Sequence, residues 1–323
     1  KSKIRDIARN CDPSVRIKEI ESIENALVAH IPASQQAHQH KGAFYVREGA
    51  NSQKLNKNEV TELLHSKGEL EWDEVKNTDF IYPQDFNSKA FRRFIERTDI
   101  TDTSVSTKFL LRNLGIAEFN GGALDFTNAG VLMFSKNPKQ FFIQAEIQCV
   151  NWEDKNKDSY TDREIISAPL IESINSAIDF VIKNIDSRTV IDSRTRKTKP
   201  EIPETVLREA IANAVMHRDY ASSRESVQIF IYPSKIEIRN PGGLVPGMRK
   251  EDLGKKSVRR NPIVADMLDR AGFVERSGTG ISRMMRRMKE EGFPDPEFNM
   301  NSHFEVILSR KRSAEIPDLS EAD

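Results

Sequence analysis

Residues 203–217, PETVLREAIANAVMH, constrain this chain more than any other stretch: they read as a helix apolar around most of its circumference that nevertheless carries a carboxylate. Pro203 has its φ already set for the first helical position, and Glu204 places an acidic group in the first turn. Stepping about 100° per residue from Glu209, Asn213 and His217 follow at roughly 40° and 80°. Leu207, Ala210, Ile211, Ala214 and Val215 fill the sector from about 100° to 240°, while Ala212 and Met216 flank Glu209 on its other side. Only Arg208 and Arg218 break the pattern. Such a helix is buried over most of its surface, which leaves Glu209 and Asn213 as polar groups in a dry setting. A buried carboxylate is costly unless it has a partner or a task. The partner would be a neighbouring arginine such as Arg208; the task would require a ligand.

Two glycine clusters downstream favour a ligand. Residues 235–244, KIEIRNPGGL, are an alternating strand running into Asn240 and the pair Gly242-Gly243, where backbone can approach a bound molecule closely. Further on, ERSGTGISRMMRRM places Gly278-Thr279-Gly280 at the mouth of a helix, a geometry suited to holding phosphate on backbone N–H groups at the positive end of the helix dipole. Each cluster alone is compatible with an ordinary turn. A buried Glu-x-x-x-Asn helix, a strand-to-glycine turn and a glycine-opened helix, in this order and spacing, are hard to obtain by accident.

The rest of the chain sets the frame. Its 323 residues suit two or three domains. Lys+Arg 49 balance Asp+Glu 49, so no global basic field advertises nucleic acid, and any electrostatic footprint is local, as at 194–199, 255–260 and 283–289. There is no run of 18 apolar residues, and the start KSKIRDIARN lacks the apolar core of a signal peptide, so no membrane partner and a cytoplasmic location are expected. Periodicity predicts helices at 58–65, 88–96, 104–114 and 169–183. Strands are expected at 26–31, 43–47, 141–150, 226–232, 235–239 and 303–309, and a hairpin around Asn120-Gly121-Gly122. Residues 151–164 and 186–201 read as polar loops. Helix, helix and hairpin over 88–126 have the shape of a winged-helix unit or of a small α+β connector without a DNA role.

The motifs ExxxN at Glu209–Asn213, the Asn–Gly turn after a strand and the GTG helix resemble the nucleotide-binding boxes of the GHKL ATPases. LREAIANAVMHRDY, IRNPGGL and RNPIVADMLDRAGFVERSGTGISRM are more closely similar to one bacterial branch, the divergent-AAA or Schlafen AlbA-domain-associated transcriptional regulators. The resemblance covers 200–310, extends over 88–185, and reaches 1–66 through GAFYVREGAN. It implies an α+β, multi-domain chain. Residues 1–66 would be the C-terminal part of an AlbA-like, Schlafen-type DNA-binding domain, and 67–139 a linker and winged-helix-like region. A GHKL-type α/β sandwich would occupy 140–310, with a disordered tail over 311–323.

The same resemblance implies roles for single residues. Glu209 matches the general base that polarises water, and Asn213 the ligand of Mg²⁺ held with the ATP phosphates. Asn240 stands where the family usually carries an aspartate that accepts the adenine amino group. Gly242 and Gly243 would line the base pocket with a spacing one residue shorter than the usual DxGxG. Residues 245–276 would form the ATP lid, with Lys255, Lys256, Arg259 and Arg260 as phosphate contacts, and Gly278, Thr279 and Gly280 would bind ATP at the helix mouth. The implied function is an ATP-binding, DNA-binding transcriptional regulator that hydrolyses ATP with Mg²⁺, with DNA and a second copy of the chain as partners. The alternatives are a nucleotide-sensing module without hydrolysis and a helicase-related DNA-processing protein. No GxxxxGK[ST], GxGxxG or GxSxG occurs, and His217-Arg218-Asp219 lacks the asparagine a kinase loop needs.

Overall fold

The computed structural model describes residues 1–310 except 25, 35, 50, 57–58, 61–62, 65–66, 68–69, 101–104, 155, 193–194, 222–224, 246–247, 257, 275–277 and 302. Much of the expected helix 58–65 and the whole tail 311–323 lie outside the described residues. The chain is mixed α+β and divides into two compact units, Lys1–Trp72 and Asp73–Asp323.

The first unit opens with the helix Ser2–Arg9, whose Ile4, Ile7 and Ala8 recur at helical spacing. A four-stranded antiparallel sheet follows, in the order Cys11–Asp12, Gln39–His40, Ala43–Glu48, Asn51–Lys54, and a separate hairpin pairs Glu19–Ile23 with Ala26–His30.

In the second unit the helices Ser88–Arg97 and Thr107–Asn113 lead into the hairpin Ala117–Asn120 and Ala123–Phe126. Gly121 and Gly122, at φ 54° and 92°, supply the two left-handed residues that a tight hairpin turn requires. The helix Asn128–Phe134 is buried at all seven positions, and Thr127 caps it by accepting from the Gly130 amide at 3.2 Å. Its Phe134 meets Phe91 and Phe94 edge-on, and Phe126 packs against Phe80 with ring centres 4.6 Å apart, so aromatic side chains fill this core.

A six-stranded sheet forms the body of the unit, in the order Tyr160–Ile166, Ile147–Trp152, Val227–Tyr232, Lys235–Pro241, His303–Ser309, Glu297–Met300. Only Val227–Tyr232 and Ile147–Trp152 run parallel. The register places Ile147, Cys149, Ile229, Ile231, Ile236 and Ile238 on one face, each 3% exposed or less. The helices Leu170–Asn184 and Glu204–Met216 pack against that face, and Gly280–Glu290 packs on Glu204–Met216. On the opposite face Val150, Phe230 and Tyr232 cluster with Trp152, under the cationic heads of Lys157 and Arg239.

Three expectations are corrected. The strand expected over 141–150 begins only at Ile147, because Pro138 opens a short helix to Phe141. The second half of the charged stretch 151–164 belongs to an edge strand, Tyr160–Ile166; pairing on one side only leaves its charged side chains in solvent. The polar stretch 186–201 forms a hairpin, with Ser187–Asp192 paired to Thr195–Pro200.

Candidate functional site

The helix Glu204–Met216 buries Leu207, Ala210, Ile211 and Ala212 completely, as its apolar wheel requires, and Glu209 is buried with them at 4% exposure. Arg208 is not its partner. One turn back, Glu204 takes Arg208 at 2.6 Å on the exposed face. Asn213 Nδ2 donates to Glu209 Oε1 at 3.1 Å, and Arg283 Nη2 donates to Oε2 at 2.5 Å. Both carboxylate oxygens are therefore engaged, one by the amide four residues along and one by a guanidinium 74 residues away in sequence.

Arg283 belongs to the helix Gly280–Glu290, which starts where the GTG reading expects it. The opening glycine lies so close to Glu209 that any side chain there would displace the carboxylate. A methyl built on Gly280 would overlap Glu209 Oε1 and stand 2.6 Å from its Cδ. The carboxylate thus lies against the first turn of this helix, where backbone N–H groups lack intrahelical partners and the helix dipole is positive. Gly243 is likewise required by close approach: a methyl there would stand 2.5 Å from the Asn301 carbonyl oxygen.

An open cleft of about 870 Å³ of empty space, its mouth included, lies beside these groups, and Glu209, Asn213, Gly243, Lys256, Gly278 and Gly280 all line it. Its far wall is apolar, with Phe298, Phe304 and Val306 from the last two strands and Met284 from the GTG helix. Residues of the expected lid, including Met248, Leu253 and Val258, line it as well. Lys256 lies within 2.9 Å of Asp252, whose carboxyl that hydrogen bond and the Arg249 amide hold below the usual carboxylate range.

Asn240, Gly242, Lys255 and Thr279 stand just outside the lining. Asn240 is 1% exposed and pairs across the sheet with Phe304, which does line the cleft. Its Nδ2 makes only a long 3.4 Å bond to the Pro241 carbonyl, and its Oδ1 has no hydrogen-bond partner among the described residues. Gly242 packs against Asp219 and Arg260. Lys255 is exposed, and Thr279 precedes the first residue of the GTG helix.

Beyond Met216, Asn261 donates through Nδ2 to the carbonyls of Met216 and Arg218, at 2.8 and 2.9 Å, satisfying acceptors that the helix end leaves open. The start of the next helix, Pro262–Arg270, is held by Asp73, whose Oδ2 accepts from the amides of Ile263 and Val264 at 2.7 and 3.0 Å. Arg260 donates to the Gly243 carbonyl at 2.8 Å and lies 3.6 Å from Asp219. Sequence reasoning missed Arg283 as the partner of Glu209, and Asn261 and Asp73 as positioned groups; Arg260, expected as a phosphate contact, donates to the Gly243 carbonyl. Arg283 left no local signal, because the carboxylate it pairs with lies on another helix, 74 residues away in sequence.

His217 also lines the cleft. Burial, and then the positive charges of Arg260 and Arg259, push its pKa down to about 4. The unfolded chain, with an ordinary imidazole near 6.5, therefore binds more protons than the native state between about pH 4 and 6.5. Stability rises with pH wherever the unfolded state holds more protons. This contribution is thus complete above about pH 6.5 and is lost as pH falls toward 4. Denaturant midpoints measured from pH 7 to 4 should fall more steeply for the wild type than for His217→Gln; equal slopes would contradict the assignment.

The family model described as Putative ATP-dependent DNA helicase recG C-terminal (HATPase_c_4) matches residues 225–308. Residues 225–308 of the second unit are thus similar to an HATPase-like domain. The matched segment contains Asn240, Gly242, Gly243, residues 245–276 and Gly278–Gly280, and it begins after Glu209 and Asn213. The crystal structure of the DIP2311 protein from Corynebacterium diphtheriae is similar in fold, with a TM-score of 0.62 and 19% identity over 96% of this chain. The match covers 62% of the length of that chain. No curated protein matches. Among the described residues, no helix is long and apolar enough to cross a membrane.

Proposed function

We propose that the cleft binds ATP with Mg²⁺ and that the chain is an ATP-responsive, DNA-binding transcriptional regulator. The observation that carries the nucleotide reading is the buried Glu209 carboxylate pressed on Gly280 at the start of an eleven-residue helix, with Asn213 beside it. A nucleotide suits the groups present. The first turn of that helix, with Lys256 nearby, can receive phosphate oxygens. The Phe298 and Phe304 wall offers apolar surface to a base, and the unpaired, buried Oδ1 of Asn240 behind it is an acceptor of the kind an adenine amino group needs. Asn213 can offer its Oδ1 to Mg²⁺. Among the described residues no group of three His, Cys, Asp or Glu could hold a metal, so phosphate and water would supply most of the ion's oxygens.

In this reading Glu209 takes a proton from the attacking water, and residues 245–276 close over the nucleotide. The wider assignment follows the resemblance: residues 1–66 as part of an AlbA-like DNA-binding domain, 67–139 as linker and winged-helix-like region, and 140–310 as a GHKL-like domain, with DNA and a second copy of the chain as partners. A nucleotide-sensing module without hydrolysis is the second reading, favoured by the arginine that occupies Glu209.

Calorimetry with Mg²⁺ and ATP on the wild type and Asn213→Ala tests the site. The wild type should bind, and the variant should bind about 10-fold more weakly, the loss expected for one contact to a charged group. No heat from the wild type at millimolar ATP would remove the nucleotide reading. Phosphate release that requires Mg²⁺ and Glu209 separates the ATPase from the sensing module.

A further inference from the structure

We propose that Arg283 recognises the terminal phosphate of a bound nucleoside triphosphate, and that its move from Glu209 to that phosphate frees the carboxylate to act on water. The inference rests on the nucleotide reading of the cleft and goes beyond it by naming the residue that distinguishes triphosphate from diphosphate.

Four observations converge. Glu209 is an anion already seated against the first turn of the GTG helix, so the protein itself fills the position that favours an anion. Arg283 stands one turn into that same helix and donates to Glu209 Oε2, so helix end and guanidinium meet at one spot. Glu209 is 4% exposed and the Arg283 side chain 27%, so the arginine reaches solvent while the carboxylate it holds does not. The other cations near the cleft have neighbours outside the proposed chemistry: Lys256 is on Asp252, and Arg260 is on the Gly243 carbonyl and near Asp219. Only Arg283, among these, is tied to the carboxylate assigned to the water.

That tie has a chemical consequence. With Asn213 donating to Oε1 and Arg283 to Oε2, each Glu209 oxygen already holds one donor, and a water approaching Oε2 competes with the guanidinium for the carboxylate. A terminal phosphate next to the base brings more charge than a carboxylate and presents oxygens to which the planar guanidinium fork can donate twice. The exchange couples arrival of the third phosphate to release of the base, and the ligand-free pocket is held inactive by its own ion pair. A diphosphate, ending one group short, leaves the pair intact.

Calorimetry on the full chain with Mg²⁺, using ADP and a non-hydrolysable ATP analogue, tests this on the wild type, Arg283→Ala, Arg283→Lys and Glu209→Gln. Arg283→Ala should weaken the triphosphate analogue about 10-fold or more and leave ADP within about 2-fold, the loss of one charge-assisted contact. Arg283→Lys, which keeps the charge but not the fork, should lie between. Glu209→Gln should tighten the analogue a few fold, because the competing carboxylate is gone. A merely structural ion pair predicts equal losses for both nucleotides in Arg283→Ala, or no loss, and either result overturns the proposal while leaving the nucleotide site standing. A wild type that binds neither nucleotide overturns both. Melting curves of Arg283→Lys show whether the fold survives without the guanidinium.

Discussion

Glu209→Gln should lower Mg²⁺-dependent phosphate release by about 10²–10⁴-fold, the usual contribution of a positioned general base, while ATP still binds. The amide keeps the size of the carboxylate and can still accept from Asn213, so the helix and its contact with Gly280 stay in place. What it loses is the ability to take a proton from water. Its charge is lost as well, so Arg283 is released, and binding of a triphosphate should hold or strengthen. The combination of lost turnover and retained affinity is what a base predicts. Loss of both would mark Glu209 as a structural support of the pocket. Unchanged turnover, read from released phosphate under saturating ATP, would remove it from the chemistry.

Phe126→Ala should destabilise the second unit by about 3–5 kcal/mol, the range for deleting a fully buried aromatic ring. Phe126 is 0% exposed and packs on Phe80, on Tyr82 in a near-parallel arrangement at 5.8 Å, and on Phe86. It ends the hairpin strand that delivers the chain to the buried helix Asn128–Phe134, and that helix touches Leu170–Asn184 of the sheet layer. A cavity there would be felt on both sides, because the buried helix Asn128–Phe134 joins the aromatic core to Leu170–Asn184. For a unit of this size the loss corresponds to a fall in melting temperature on the order of 10 °C. A calorimetric scan that shows the region before residue 140 melting separately, with the later transition unmoved, would contradict this coupling.

How much of the site was legible in the sequence differs residue by residue. The burial of Glu209 and Asn213's place beside it follow from one helical wheel, because neighbours at i and i+4 are fixed by the rise and twist of a single helix. The GTG cluster was legible as a helix start, but the space argument for Gly280 was not, since the atom that would clash comes from Glu209 on another helix. Arg208 shows the limit of local reading. It is adjacent to Glu209 in sequence and points about 100° away from it around the helix, so it pairs with Glu204. Tyr160–Ile166 was hidden for a different reason: as an edge strand it needs no apolar alternation, and only its partner Ile147–Trp152 identifies it.

The sequence by itself determined the helix that carries Glu209, the strand-to-glycine turn at Asn240–Gly243 and the glycine-opened helix at 280, in that order. Periodicity, first-turn residues and glycine positions are properties of neighbouring residues, and they survive without the rest of the fold. The tertiary structure alone decided that Arg283 holds Glu209, that Asn261 and Asp73 secure the ends of two helices, and that the last two strands wall the cleft with Phe298 and Phe304. Each of these joins residues far apart in the chain. A hydrogen bond or a shared wall between distant segments depends on where the whole sheet and its helices bring them together, which no local pattern encodes.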